Sequence, residues 1–341
     1  MSGTRVWVSA ATDVGRVRSQ NEDSFGYRIP DDPDLTARKG ALLLVCDGMG
    51  GHAAGEVASQ LAVETILEHY YQHASDEPPV ALRDAFALAN ARIFAQANAR
   101  PEHRGMGTTC VAAVLRGDQL TIAHVGDSRA YLLRGETLTR LTRDHSLVEE
   151  WVARGVLSAD QAEQHPMANV ITRALGHLPQ VQLELQQQHL QPGDQLLLCS
   201  DGLSGRLAEA TIRETLLRTP DLDTAVATLI HLANEAGGTD NISVIVARLE
   251  EGDPAGLAAG DRPTSVALPV TEPTASPPSP LTTLPNTSQR ASRSAGAGSP
   301  PWLGGCSVLA ALVLVLLLAA TLLIAAALLG WLPGLPLPRP G

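Results

Sequence analysis

Between Ala41 and Leu249 the chain returns repeatedly to short apolar runs that stop at a glycine or a polar turn. ALLLVC ends before Asp47, TCVAAVLR before Gly117, QLTIAHV before Gly126-Asp127, RAYLLR before Gly135, QLLLC before Ser200-Asp201, and ISVIVARL before Glu250. Runs of this length and composition, bounded by turn residues, predict strands. Residues 109–141 read as one meander with Gly-Asp and Gly-Glu turns. Helical periodicity marks about 55–73, 79–99, 145–155, 158–165, 208–218 and 222–236. The strands come in consecutive groups, and the helices lack regular βαβ alternation. That pattern favours an α+β fold of antiparallel sheets covered by helices over a doubly wound parallel sheet.

The apolar and polar pattern changes twice beyond position 250. Residues 251–302 include PVTEPTASPPSPLTTLPNTSQR, too poor in large apolar side chains to fold, which predicts a disordered linker. If flexible, about 50 such residues span roughly 40 Å. Residues 303–332 follow, with CSVLAALVLVLLLAATLLIAAALLGWL uncharged and Trp302 and Trp331 at its ends. About 23 helical residues span roughly 35 Å, more than the hydrocarbon core of a bilayer, so one transmembrane helix is expected. A short tail, 333–341, closes the sequence. Arg262, Arg290 and Arg293 precede the span and only Arg339 follows it. The positive-inside rule then gives a single-pass protein of the cell membrane with residues 1–250 in the cytoplasm.

Charge sharpens the picture of residues 1–250. The net charge is −11, and it belongs to those residues, because the acidic and basic side chains beyond them balance. So acidic a domain makes nucleic acid a poor partner, whereas clustered carboxylates suit hard cations. The cysteines, Cys46, Cys110, Cys199 and Cys306, form no CxxC pair, consistent with a reducing compartment and no redox role.

Several carboxylates stand where strands meet turns. Glu22 and Asp23 lie in RSQNEDSFG, Asp47 ends ALLLVC, Asp127 follows TIAHVG, Asp201 follows LLLCS, and Asp240 precedes the last strand. Such positions can converge at one end of a sheet pair. Without a cation the carboxylates would repel one another and rise in pKa. The donors are oxygens, with no thiolate and no HExxH, which selects Mg²⁺ or Mn²⁺. Two such ions sharing a carboxylate would activate a water and clamp a phosphoryl oxygen, and Arg18 would hold a phosphate with its bidentate fork.

The ordered blocks TDVGRVRSQNEDS, LLLVCDGMGGHAAGEVAS, GMGTTCVAAV, AHVGDSRAYLLR, LTRDHSLVEEWVARGVLS, HPMANVITRALG, LLLCSDGL and GGTDNISVIV run from Ala10 to Leu249. Together they resemble the bacterial metal-dependent Ser/Thr protein phosphatases, the PPM or type 2C family. The resemblance implies a four-layer α/β/β/α sandwich and a phosphatase acting on phosphoserine and phosphothreonine through a metal-activated water. It also implies residue roles. Asp47 bridges two ions, the Gly48 carbonyl and Glu22 complete one site, and Asp201 and Asp240 hold the other. Asp23 orients water, Arg18 binds the substrate phosphate, and His52 donates a proton to the leaving alkoxide. In the family's SDG block an aspartate often stands four positions after the first; here it is Gly205. Two ions are therefore expected, with any third held weakly through Asp127 and water. The stretch 144–176 corresponds to the family's flap, where His145, His165 and Arg173 read as structural polar residues. The implied partners are phosphorylated proteins, a Ser/Thr protein kinase and its substrates; a silent phosphoprotein-binding scaffold is the alternative.

Overall fold

The computed structural model describes residues 3–50, 54–163 and 165–252. Its elements, in chain order, begin with β1 (Gly3–Asp13), β2 (Asp23–Arg28), α1 (Pro33–Lys39), β3 (Ala41–Met49), α2 (Ala54–Gln72) and α3 (Pro78–Ala99). The strands β4 (Gly107–Thr108), β5 (Cys110–Arg116), β6 (Gln119–Val125), β7 (Arg129–Arg134) and β8 (Thr137–Arg140) follow. Next come α4 (Leu147–Ala153), α5 (Ala159–Glu163), β9 (Glu184–His189) and β10 (Gln195–Cys199). The series closes with α6 (Asp201–Ser204), α7 (Glu209–Arg218), α8 (Leu222–Glu235) and β11 (Ile242–Gly252). One sheet has the order β1-β11-β10-β7-β8; the other has β2-β3-β5-β6-β9, with β4 on the end of β3. All the strand pairs are antiparallel.

Side-chain alternation along the strands builds three apolar layers. On β3, Leu43 and Val45 meet Leu196, Leu198 and Ile245 of the facing sheet. The intervening Leu42, Leu44 and Cys46 point the other way, onto Ala58, Ala62 and Ile66 of α2 and the alanines of α3. On β11, Val244 and Val246 pack with Leu229 and Ala233 of α8. Strands buried on both faces read as continuous apolar runs, because a period of two vanishes when neither face is wet. The expected four layers are therefore present, with α2 and α3 outside one sheet and α7 and α8 outside the other. Cys46, Cys110 and Cys199 are buried and unpaired.

Two expectations need correction. The meander of 109–141 is two hairpins in different sheets: β5 pairs with β6, and β7 with β8 and β10, while β6 turns to β9. Gly117 and Gly135, at φ +61° and +56°, make the two tight turns as expected. Between them the chain crosses from sheet to sheet at Gly126, whose φ of +102° is open only to glycine. The expected domain end at 250 is passed by β11, which runs to Gly252 and pairs with Gly3. Most of the expected linker, the membrane span at 303–332 and the tail lie outside the described residues. Among the described residues no helix is long and apolar enough to cross a membrane.

Candidate metal centre

β2 and β3 are registered so that Asp23 stands directly opposite Asp47. Two carboxylates thus enter one sheet end from adjacent strands. Asp201 opens α6 one residue beyond β10, after Ser200, and Asp240 immediately precedes Asn241 and β11, so the other sheet contributes two more. Asp127 arrives on the crossover between β6 and β7. Asp47 feels Asp23, Asp201, Asp127 and Asp240 electrostatically, and Glu22 feels Asp240 and Arg18. The sequence-predicted carboxylates are therefore brought together.

Hydrogen bonds fix their backbones. The Asp47 N–H donates to Thr109 Oγ1 at 3.1 Å, and Thr108 Oγ1 donates to the Asp47 carbonyl at 2.8 Å. Thr109 Oγ1 also meets Ser128 Oγ at 2.7 Å, which ties the Asp47 strand to the turn that carries Asp127. Asn241 Oδ1 accepts from the Glu22 N–H at 2.8 Å, while its amide donates to the carbonyls of Val14 and Gln20 at 2.9 Å each. One buried amide thus holds the whole loop that presents Arg18 and Glu22. Ser200 Oγ donates to Asp23 Oδ2 at 2.7 Å. Sequence reasoning did not single out Asn241, Ser200, Thr108 or Thr109; adjacency to a predicted ligand marks Asn241 and Ser200, and nothing local marks the two threonines.

Gly48 has a steric reason for being glycine. A Cβ there would lie 2.2 Å from the Gly55 carbonyl oxygen and 2.4 Å from that of Glu22. The close approach of α2 and the Glu22 backbone, rather than an unusual φ, excludes any larger residue. Arg18 reaches the centre from a loop. Its Nη2 donates to Asp240 Oδ2 at 2.8 Å, on a side chain 48% exposed. His52 falls in residues 51–53, outside the described residues. Gly205 caps α6, donating its N–H to the Asp201 carbonyl at 2.7 Å, so no carboxylate follows Asp201 at that point.

Crowding raises the carboxyls. Burial first, then repulsion from Asp23, Asp201, Asp127 and Asp240, holds Asp47 well above the ordinary carboxylate range. Burial pushes Asp23 up to about 7 against hydrogen bonds from Ser200 and Ser243, and it pushes Asp127 up to about 7 with Asp201 adding to the effect. Asp201 and Glu22 are also raised, burial leading in both. Asp23 Oδ1 and Asp201 Oδ1 are buried without any hydrogen-bond partner. An orphaned, desolvated carboxylate oxygen is costly, and a divalent cation removes that cost. The donor set is all oxygen and anionic, so these residues fit hard cations such as Mg²⁺ or Mn²⁺.

A second polar cluster lies apart from the carboxylates, under the flap. The His124 and His145 rings stack at 4.7 Å, and Glu184 Oε1 stands 3.1 Å from His145 Nε2. A cation already serves this cluster: Arg173 Nη1 lies 3.4 Å from Glu184 Oε1. A cavity of about 310 Å³ opens beside it, lined by Arg143, Asp144, His145, Arg173 and Glu184 among others and by none of the metal-centre carboxylates. His165 packs edge-on against Trp151 at 5.2 Å. The flap histidines and Arg173 thus have structural partners, as expected.

Comparison with known proteins agrees with this geometry. A family model described as protein phosphatase 2C matches residues 16–244. The chain is 40% identical over 253 residues to the serine/threonine protein phosphatase PstP of Mycobacterium tuberculosis, covering 72% of this chain and 45% of that protein. It is 38% identical over 239 residues to the serine/threonine phosphatase stp of Listeria monocytogenes, covering 69% of this chain and 92% of that one. It therefore spans about half the length of the mycobacterial relative and nearly all of the listerial one. Among solved structures, the PstP catalytic domain in complex with two manganese ions superposes with a TM-score of 0.63 at 38% identity, covering 72% of this chain and 99% of that one. A Streptococcus agalactiae (S. agalactiae) serine/threonine phosphatase superposes with a TM-score of 0.67 at 34% identity, covering 72% and 100%.

Proposed function

Because the chain belongs to the protein phosphatase 2C family, we propose that it is a metal-dependent serine/threonine protein phosphatase. The observation that carries this reading is the convergence of Glu22, Asp23, Asp47, Asp127, Asp201 and Asp240 on one sheet end, with two carboxylate oxygens buried and unpartnered. Repelling carboxylates of this kind have little structural use without a cation.

Asp47, Glu22, the Gly48 carbonyl, Asp201 and Asp240 would hold two Mn²⁺ or Mg²⁺ ions, with Asp47 serving both. Such ions, when bound, supply a water of lowered pKa and a Lewis acid for a phosphoryl oxygen. The chain's own residues do the rest. Asp23 is held by Ser200 Oγ, which leaves its other oxygen to accept a hydrogen bond and orient the attacking water. Arg18 stands at the edge of the centre, where Asp240 fixes its guanidinium. A phosphate arriving there meets a planar donor fork that neutralises charge on its equatorial oxygens. His52 is a candidate proton donor to the serine or threonine alkoxide. Water attacks phosphorus directly and the protein alcohol leaves.

The uncharged segment Cys306–Leu332 anchors this domain to the membrane, with the phosphatase facing the cytoplasm and opposing a Ser/Thr kinase. Tethering raises the effective concentration of the phosphatase toward membrane-bound phosphoproteins.

Hydrolysis of a phosphothreonine peptide by the full chain tests the chemistry. Turnover should vanish with chelator and return with added Mn²⁺; turnover that survives chelation overturns the reading. In cell fractionation the full chain should pellet with membranes and be released by detergent but not by high salt. Recovery in the supernatant would refute the anchor.

A further inference from the structure

His145 and Gly126 are joined by reciprocal hydrogen bonds. The Gly126 N–H donates to His145 Nδ1 at 3.0 Å, and the His145 N–H donates back to the Gly126 carbonyl at 3.0 Å. Gly126 immediately precedes Asp127 on the crossover between the two sheets. Its φ of +102° and a Cβ position only 2.5 Å from Thr109 Cγ2 leave the turn little room to adopt another conformation. The Thr172 N–H donates to the His145 carbonyl at 2.7 Å, so the same residue is fastened to the flap.

The ring itself is locked. An amide N–H can only donate, so His145 Nδ1 must be bare, and the neutral ring carries its proton on Nε2, which faces Glu184 Oε1 at 3.1 Å with Arg173 Nη1 also 3.2 Å away. Arg173 holds Glu184 from the flap, and His124 stacks on the imidazole with 15° between the planes. His124 is fixed in turn by the Arg143 carbonyl, 2.9 Å from its Nε2. A protonated His145 would set an N–H against the Gly126 N–H; burial first, then His124, holds its pKa below the usual histidine value.

We infer that His145 is a positioning residue for Asp127. Its Nδ1 and backbone N–H grip Gly126 from the flap side, while Thr109 and Ser128 grip the turn from the Asp47 side. Asp127 is thereby presented to the metal centre through a contact that belongs to the flap. The role is separate from the two ions at Asp47: it concerns the weaker site to which Asp127 contributes. It rests on the reading of Asp127 as a metal ligand in a phosphatase.

Two substitutions separate position from mere packing. In His145→Asn the side-chain oxygen falls near the place of Nδ1 and can accept from Gly126. In His145→Gln the amide reaches toward the place of Nε2 and leaves the Gly126 N–H without an acceptor. The full chain is titrated with Mn²⁺ by calorimetry, alongside Asp127→Asn, and the Gly126 amide is followed by NMR. Two tight binding events should be unchanged throughout. The weakest event, absent in Asp127→Asn, should fall by about 10-fold in His145→Gln and hold within about threefold in His145→Asn, the scale on which groups behind a metal ligand act. The Gly126 amide proton should keep its downfield shift in the Asn variant and lose it in the Gln variant. Equal behaviour of the two variants, or loss of every Mn²⁺ event together, overturns the positioning role. An Asp127→Asn protein that titrates like wild type instead sinks the reading of Asp127 beneath it.

Discussion

Asp47→Asn is expected to lower phosphothreonine-peptide turnover at saturating Mn²⁺ by at least about 100-fold, because the proposed shared ligand of two ions is lost and metal-bound water would no longer be activated. The variant should nevertheless fold. Its backbone contacts, the N–H to Thr109 Oγ1 and the carbonyl with Thr108 Oγ1, involve no carboxylate oxygen. Asparagine also removes the charge most strongly opposed by burial and by Asp23, Asp201, Asp127 and Asp240. With chelator present, the variant should therefore melt at or above the wild-type temperature. This pairing of results separates a lost ligand from a damaged fold. Turnover within threefold of wild type would refute the central role of Asp47, and a chelated variant melting well below wild type would refute the charge argument.

The metal-free protein should lose stability as pH rises from about 4 toward 7, and Mn²⁺ should reverse the trend. Asp23 and Asp127 titrate at about 7 in the fold, and Asp47, Asp201 and Glu22 are raised as well. In the unfolded chain these groups titrate near 4. Between the two values the folded state binds more protons, so the free energy of unfolding falls with rising pH and levels off above the folded values. Opposite contributions come from Glu184, lowered in the fold by His145 against its partial burial and complete above pH about 4 to 5, and from His124 and His145, which burial holds below the usual histidine value, so that the unfolded chain binds their extra protons up to pH about 6.5. The five raised carboxyl groups outnumber these two imidazoles, so the decline prevails. Bound cations need deprotonated ligands, so their stabilisation grows as the protons leave. At a hundred times the dissociation constant each ion contributes about 2.7 kcal/mol, and two shift the melting temperature by on the order of 10 °C in a domain of this size. Melting curves at pH 5, 6, 7 and 7.5, with chelator and with Mn²⁺, measure both trends. A chelated protein whose melting temperature is flat or rising over that range would contradict the crowding of these carboxylates.

The centre was legible to different depths. Asp47 and Asp201 stand out in the sequence because each ends an uninterrupted apolar run, and a strand must deliver its last residue to a sheet end. Asp23 did not stand out in this way: β2 reads DSFGYR and was not foreseen as a strand, so its pairing with Asp47 emerged only from the register. β9, reading ELQQQH, carries almost no apolar signal because it is an edge strand whose exposed face is polar. The meander reading failed at Gly126 for a related reason. With both faces buried, β6 and β7 give no alternation to say which sheet each belongs to, and pairing is a matter of long-range contact.

The sequence by itself determined the fold class, the six candidate carboxylates and the hard-cation chemistry. These follow from local composition, run length and side-chain type, which are properties of neighbours along the chain. Only the tertiary structure decided that Asn241 holds the Arg18–Glu22 loop, that Ser200 occupies one oxygen of Asp23, and that Arg18 is fixed by Asp240. It alone decided that a flap histidine fastens the turn of Asp127. Each of these joins residues far apart in sequence through one directional hydrogen bond, and directionality over such separations exists only once the two sheets have packed.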